Sequence, residues 1–357
     1  LSLHDALPIS SGFHACSNSK PSWNENQNSL KTHHPTDTWP GSWTTSIGKA
    51  GPATRNVCSD TTDTRAPYRD RKNKRGNNNN MSMNLTKLTN AEYPLSDARE
   101  AIDGDNALDP SDPSAYYTAA GNPPGYWIGK GAELVGGKVG TTASSKTVRE
   151  LINERRNPSN GQYLGDVKLS EGDNGEAPVA GWDLTTRQPK SISILWAFGD
   201  KETRDGIDEC MRNAAEMTID YFENEYATTR AGQGGVASVS ADGVAGFVFD
   251  HYDNRNGDPQ PHKHIVISNR VRRSSDKVWT ALDGRKIYAG MVEISEVHEN
   301  LLQDLLTERF GWSWNLKQDH DTKAMVNEVD GVPQELIDAF SSRDAEIEQL
   351  LEKKIEE

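Results

Sequence analysis

Residues 246–271 read GFVFDHYDNRNGDPQPHKHIVISNRV and contain two strand patterns around a turn. The first pattern, at 247–249, is apolar and aromatic, and the second, at 262–268, is rich in β-branched residues. Between them, 254–257 carries the Asn and Gly residues that tight turns favour. The stretch therefore predicts a β-hairpin.

Three of the nine histidines lie in this hairpin, at His251, His262 and His264. Because side chains alternate between the two faces of a strand, His262 and His264 project on one side and Lys263 on the other. With His251 from the partner strand, three imidazoles can converge on one divalent ion and leave positions open for a substrate. The alternative is three unrelated polar side chains on a solvated face.

The identity of the metal is left open by this ligand set. We expect Mg²⁺, Mn²⁺ or Zn²⁺. Imidazole ligands favour Zn²⁺, Ni²⁺, Cu²⁺ or Mn²⁺ over Mg²⁺, but the ion in use also depends on availability.

Other blocks of sequence accompany the histidines in a fixed order. They are NPPGYWIGKGA at 122–132, WDLT at 182–185 with PKSIS at 189–193, and DPQ directly before the second strand. Together they resemble the MobF-class conjugative relaxases, the TrwC/TraI-like branch of the HUH endonucleases. Segments 279–283 and 331–343 are also similar to that family, so the resemblance covers roughly residues 83–350. The combination is far more specific than any one block.

The periodicity of the chain predicts strands and helices in mixed order, which fits an α+β sheet covered by helices on one face. The resemblance implies an HUH-type relaxase domain, in which a central antiparallel sheet of about five strands carries the three-histidine site on its central hairpin. The predicted elements are strands at 85–88, within 231–246 and at 278–282, a capping box from Thr89 to Glu92, helices at 148–156, 200–226, 288–309 and from 338, and a strand-to-helix passage at 182–196.

The activity that the resemblance implies is site-specific nicking and strand transfer at a plasmid transfer origin, through a covalent 5′-phosphotyrosine and a free 3′-hydroxyl. Tyr93 occupies the place of the family's nucleophile, although Pro94 departs from the family's usual text. Tyr116 and Tyr117, which follow a turn-rich linker, are the reserve candidates. The alternative for each tyrosine is a packed aromatic or a base-stacking side chain.

Further site residues also follow from the resemblance. Asp183 resembles the family aspartate that hydrogen-bonds a metal histidine or the tyrosine, and its alternative is a turn or cap carboxylate. Lys190 is a candidate for a phosphate contact, and its alternative is a lysine on a solvated edge. The net charge of −14 and pI near 5.2 argue against whole-surface DNA binding, so local basic patches are expected to hold the phosphates. The predicted patch follows the second histidine strand and comprises Arg270, Arg272, Arg273 and Lys277, with Arg285 and Lys286 beyond.

Two other functions compete with this interpretation. One is a His-metal hydrolase or oxygenase for small molecules, in which Asp250 or Asp253 would ligate the metal beside two histidines. The other is a catalytically silent DNA-binding relic. No G-x-x-x-x-G-K-[ST] motif occurs, so the helicase that usually follows in the family is expected to be absent from this 357-residue chain.

Composition predicts the domain organisation. Residues 1–80 are crowded with Ser, Thr, Asn, Pro and His and lack periodicity, so we expect a non-native or disordered extension, with a start at Met81 or Met83. Residues 81–350 form the predicted relaxase domain, and 351–357 a truncated C-terminal helix.

Cysteine spacing and hydropathy bound the cellular context. Cys16, Cys58 and Cys210 show no disulfide framework or metal-type spacing. The mean hydropathy is −0.77 and no apolar run is long enough to span a bilayer, so we expect a cytoplasmic protein without membrane insertion. The expected partners are single-stranded DNA at a transfer origin, accessory relaxosome proteins and a coupling protein.

Overall fold

The computed structural model describes residues 82–96, 98, 122–167, 177–254, 256–318 and 325–342, all within the compact unit Gly76–Glu357. Tyr116, Tyr117, the extension 1–80 and the predicted helix 351–357 lie outside these residues. Among the helices that are described, none combines the length and apolar character needed to cross a membrane.

Eleven strands occur in the described residues. Their bounds are Met83–Leu88 (β1), Tyr126–Ile128 (β2), Gly181–Thr186 (β3), Thr228–Ala231 (β4), Ala237–Ser240 (β5), Gly246–Asp253 (β6), Pro259–Ser268 (β7), Arg270–Arg272 (β8), Trp279–Ala281 (β9), Trp314–Gln318 (β10) and Met325–Val329 (β11). Five of them form one antiparallel sheet in the order β1-β3-β7-β6-β2. The other six pair as the hairpins β4–β5, β8–β9 and β10–β11.

Six α-helices and two 3-10 helices accompany these strands in the described part of the chain. The α-helices are Glu92–Ser96 (α1), Ser145–Ile152 (α2), Lys190–Phe198 (α3), Lys201–Glu225 (α4), Gly284–Phe310 (α5) and Gln334–Ala339 (α6), and the 3-10 helices are Lys130–Val135 and Gln233–Gly235. The five-stranded sheet with its helices confirms the predicted α+β class, with the histidine hairpin β6–β7 at the centre of the sheet.

The helix ends follow ordinary capping rules. Asp200 accepts a hydrogen bond from the Thr203 amide at 2.8 Å and so caps α4. Ser144 caps α2 in the same way through Thr147. The predicted capping box from Thr89 to Glu92 is wrong, because Asn90 accepts the Glu92 amide at 3.0 Å while the Glu92 side chain turns to α2.

Alternation along the central strands divides the core between the two faces of the sheet. Val248 and Ile265 pack against α4 and α5, whereas Phe247 and Val266 pack on the opposite face with α1, α2 and the first 3-10 helix. Helices therefore lie on both faces, which corrects the prediction of one covered face. The short helices α1 and α2 cover only part of their face of the sheet, and the three histidines lie on the rest of that face.

The edge strand β2 was also missed, because the glycine-rich block around it predicts a loop and a short helix. Its three residues pair with β6, and this contact is not local in sequence. Gly129 next to it has φ +86°, and a Cβ there would lie 2.2 Å from the Val244 carbonyl oxygen. Glu223 joins the two segments, since its Oε1 accepts the amides of Lys130 and Val244 at 2.8 Å each.

Candidate metal centre and active site

The three histidines converge as the alternation predicts. His251 and His262 are direct cross-strand partners on β6 and β7, and His264 follows on the same face. The ring centroids are 4.7 Å apart for His251 and His264 and 5.2 Å apart for each of the other two pairs. One ligand nitrogen from each ring lies within 4.8 Å of the others, a geometry that can hold a single ion.

Hydrogen bonds orient two of these rings. The Nδ1 atom of His264 lies 2.8 Å from Oδ2 of Asp183 and 3.3 Å from the Thr185 hydroxyl. The Nδ1 atom of His262 lies 2.8 Å from the carbonyl oxygen of Gln260. With Nδ1 donating to these oxygens, both rings present Nε2 toward the shared centre, which is the usual way in which outer partners prepare metal ligands.

The protonation of the rings also suits a metal. Burial, together with the neighbouring rings of His264 and His262, lowers the pKa of His251 to about 3. Burial is also the main reason that the pKa of His262 is lowered. Neutral imidazoles are the form that binds a cation, so these two ligands need not lose a proton near neutral pH.

The donor set fits a divalent ion, and one atom in it lacks a partner. Nε2 of His251 is buried and has no hydrogen-bond partner among the described residues. A buried nitrogen without a partner is costly unless something else satisfies it. An ion shared with His262 and His264 would do so.

Tyr93 lies beside this centre. Its ring meets His264 edge to face, with 5.7 Å between ring centroids. The tyrosine is 53% exposed, although its neighbours Pro94 and Leu95 in α1 are buried. The structure therefore brings together Tyr93, the three histidines and Asp183, all of which the sequence singled out.

The opposite face of the hairpin carries a charged pair that the sequence did not predict. Asp250 and Lys263 are direct cross-strand partners with side chains 6% and 5% exposed, and they form a salt bridge. The only signal was their alternation with the histidines. Because Asp250 points away from the histidines, it cannot serve as the carboxylate ligand of the oxygenase alternative.

The predicted DNA-binding residues fall in two places. Lys190 begins α3, and its Nζ lies 3.4 Å from the carbonyl oxygen of Pro259, at the start of the histidine strand β7. Arg270 lies beyond the far end of β7, roughly 20 Å from His264 at about 3.3 Å per residue.

Carboxylates already neighbour the rest of this arginine patch. Arg272 and Lys277 pair with Asp242 at 2.8 and 3.0 Å, and Arg273 pairs with Asp276 at 2.7 Å. These pairs reduce the net positive charge of the patch. DNA binding by Arg270, Arg272 and Arg273 stays a prediction.

The family follows from sequence comparison. The model of the TrwC relaxase family matches residues 88–357. The chain belongs to the TrwC relaxase family. The match includes every catalytic and metal-binding candidate discussed above.

Two Escherichia coli relatives share the name multifunctional conjugation protein TraI. The chain is 27% identical over 233 residues to the multifunctional conjugation protein TraI of Escherichia coli and equally to that of Escherichia coli strain K12. The aligned part is 62% of this chain and 12% of each relative, so the chain corresponds to a small part of the length of these relatives.

Solved structures share the fold. The metal-bound conjugative relaxase TrwC in complex with OriT DNA matches with a TM-score of 0.58 and 23% identity, over 76% of this chain and 83% of that one. The metal-free complex gives 0.58 and 24% over the same shares. A copper-bound complex gives 0.57 and 24%, over 76% of this chain and 84% of that one.

Proposed function

We propose that this chain nicks one strand of DNA at a transfer origin and transfers the cut strand, through a covalent bond between Tyr93 and the 5′ phosphate. The observation that carries the proposal is the contact between Tyr93 and His264, which sets an exposed phenol beside a three-histidine centre. Membership of the TrwC relaxase family supports it.

The chemistry assigns one role to each group. A divalent ion on His251, His262 and His264 would withdraw charge from the non-bridging oxygens of the phosphate. The Tyr93 oxygen attacks phosphorus in line with the 3′ oxygen, the bond from phosphorus to that 3′ oxygen breaks, and the departing oxygen takes a proton from water. The product is a phosphotyrosine diester, which keeps the bond reversible and permits strand rejoining.

Asp183 is our candidate for receiving the phenolic proton. Its Oδ2 is engaged by His264, but its Oδ1 is buried and has no hydrogen-bond partner among the described residues. A carboxylate held in this way can both orient the histidine and accept a proton. Lys190, at the entrance to β7, is our candidate for a phosphate contact next to the site.

The choice of metal ion follows from the imidazole ligands, and the choice of substrate and partners follows from the family resemblance. We propose Mn²⁺, Zn²⁺ or Mg²⁺ as the ion and single-stranded transfer-origin DNA as the substrate. Accessory relaxosome proteins and a coupling protein are the further partners that we expect.

The decisive experiment is covalent capture. The full chain is incubated with a single-stranded oligonucleotide pool of randomised sequence and each divalent ion in turn, and the DNA-linked peptide is mapped. We expect the nucleotide on Tyr93. Tyr93→Phe, which removes only the hydroxyl, should lose the adduct but keep the wild-type affinity for the selected oligonucleotide and for metal.

Two outcomes would contradict the proposal to different degrees. A nucleotide found on Tyr116 or Tyr117 would transfer the nucleophile role to those residues and leave the relaxase function standing. The absence of any tyrosine adduct with every ion tested would reject nicking by this chain.

A further inference from the structure

The helix that carries Tyr93 is too short to hold its own position. α1 contains five residues, and isolated helices of this length are not stable in water. Its inner side is fixed by packing, because the buried Ala91 and Leu95 belong to the same apolar cluster as Val148 and Leu151 of α2. Apolar burial is non-directional, so it sets the depth of α1 more than its direction.

Polar contacts from the same helix α2 supply the missing constraint. Arg149 donates to both carboxylate oxygens of Glu92, with Nε 3.1 Å from Oε1 and the terminal NH2 nitrogen 3.1 Å from Oε2. Asn153, the residue directly after α2, donates to Oε1 of Glu92 at 2.8 Å and accepts a hydrogen bond from the Ala91 amide at 2.8 Å. Four directed bonds therefore meet on the two residues that precede Tyr93.

We infer that Glu92, Arg149 and Asn153 form a clamp that positions Tyr93 for attack beside the histidine centre. The inference rests on the proposed function, because it assigns these residues a role in the reaction of Tyr93. They are positioning residues and do not touch the reacting atoms. A bidentate guanidinium–carboxylate pair fixes direction as well as distance, and the bond from the Ala91 amide to Asn153 fixes the backbone directly before α1.

The clamp should act on rate more than on stability. The Arg149 and Glu92 side chains are 45% and 52% exposed, and exposed ion pairs contribute little to the free energy of unfolding. The hydrogen bond from Arg149 is the main reason that the pKa of Glu92 is lowered, so Glu92 is charged at neutral pH and the pair persists there. Displacing a nucleophile by about 1 Å can slow a reaction by as much as about a hundredfold.

The test compares variants of the clamp with a matched variant on the same helix. Arg149→Gln, Asn153→Ala and Glu92→Gln each remove clamp bonds. Lys146→Gln removes an exposed i,i+4 ion pair with Glu150 on α2 and serves as the control. The full chain is assayed for the rate of adduct formation at saturating concentration of the oligonucleotide selected from the randomised pool, for oligonucleotide affinity, and for metal affinity.

We expect each clamp variant to lower the saturated rate about tenfold, with oligonucleotide and metal affinities within about twofold of wild type. The double variant Glu92→Gln with Arg149→Gln should lose no more than the Arg149→Gln single variant, because the two residues act as one unit. Arg149→Lys, which keeps the charge and one donor, should recover part of the rate. Lys146→Gln should match wild type.

Each contrary result has a separate meaning. An unchanged saturated rate in Arg149→Gln and Glu92→Gln, beside an inactive Tyr93→Phe, would overturn the clamp and leave the proposed function intact. Weaker oligonucleotide binding with an unchanged saturated rate would also overturn it, since Arg149 would then be a DNA contact. An adduct that persists in Tyr93→Phe would overturn the nucleophile assignment itself, and the clamp with it.

Discussion

The hairpin β6–β7 carries buried polar groups on both faces of the sheet, and these groups are satisfied in different ways on the two faces. On one face, His251 and His262 pair across the strands as neutral rings, and one nitrogen is left without a partner. One residue along, on the other face, Asp250 and Lys263 pair as a salt bridge enclosed by protein. A histidine nitrogen is therefore left free for a ligand on the first face, whereas Asp250 and Lys263 satisfy each other's charge on the second.

The enclosed face extends the polar layer between the sheet and the helices α4 and α5. Burial raises the pKa of Asp208 to about 7, although Lys263 acts in the opposite direction. Trp196 donates to Asp208 at 3.0 Å. Burial likewise lowers the pKa of His298 to about 4, and its Nδ1 lies 3.1 Å from the Thr218 hydroxyl. Burial therefore disfavours the charged forms of Asp208 and His298 next to the Asp250–Lys263 pair.

The largest difference between the faces should appear when the histidines are removed. Replacing His251, His262 and His264 by alanine together should reduce bound metal from about one ion per chain to none, because no other described residues form a comparable group. The free energy of unfolding of the metal-free protein should fall by about 1–3 kcal/mol, because the buried Asp183 carboxylate loses its hydrogen bond with His264. Metal analysis and urea titration measure the two quantities. Undiminished metal content in this variant would show that the ion binds elsewhere.

Removing one member of the Asp250–Lys263 pair should instead have a large effect on the stability of the fold. Lys263→Met leaves the Asp250 carboxylate buried without its cation, which should lower the free energy of unfolding by about 3–5 kcal/mol in metal-free protein. Urea titration beside Lys146→Met, an exposed lysine on α2, separates the loss of the pair from the loss of a positive charge. A change below about 1 kcal/mol would mean that water or another group satisfies Asp250.

The sequence predicted the histidine face of the hairpin but not the Asp250–Lys263 pair on the other face. The histidine face was predictable, because alternation of period two placed His262 and His264 together and a turn brought His251 opposite. Asp183 and Tyr93 needed the family resemblance, since no local pattern links them to the hairpin. The enclosed pair was not predicted, because an Asp and a Lys in a strand are ordinarily solvated.

The strand β2 and the bonds of Glu92 were also not predicted, because both depend on contacts between residues that are distant in sequence. β2 is three residues long and exists through its pairing with β6, so its own sequence reads as a loop. Glu92 was interpreted as a capping residue because i,i+3 spacing is a local signal, whereas its bonds to Arg149 and Asn153 span about sixty residues of sequence. Contacts of this kind are set by packing and leave no trace in periodicity.

A smaller effect should follow when both members of the enclosed pair are replaced together. Lys263→Met with Asp250→Leu removes both buried charges and leaves neither group without its partner, so the free energy of unfolding should return to within about 1–2 kcal/mol of wild type. Metal affinity should stay within about threefold, because the histidine rings keep their own outer partners. If the double variant stays as unstable as Lys263→Met alone, the salt bridge itself stabilises the fold, and the two faces differ less than we propose.

The pH dependence of the metal-free protein tests both faces at once, and its net effect should be the smallest because the two contributions oppose each other. The folded-state pKa of His251 is about 3 against an ordinary 6.5, so folding binds fewer protons there and stability should fall as the pH falls from about 6.5 toward 3. The folded-state pKa of Asp208 is about 7 against an ordinary 3.8, so folding retains a proton and stability should fall as the pH rises from about 4 to 7. The two slopes oppose each other, and each reaches at most about 1.4 kcal/mol per pH unit. Relative to wild type, His251→Asn should therefore gain stability toward acid pH, and Asp208→Asn should gain it toward neutral pH. Urea titrations in the presence of a chelator across this pH range measure both gains. If the two variants show the same dependence of stability on pH, His251 and Asp208 do not have the opposite pKa shifts that this prediction requires.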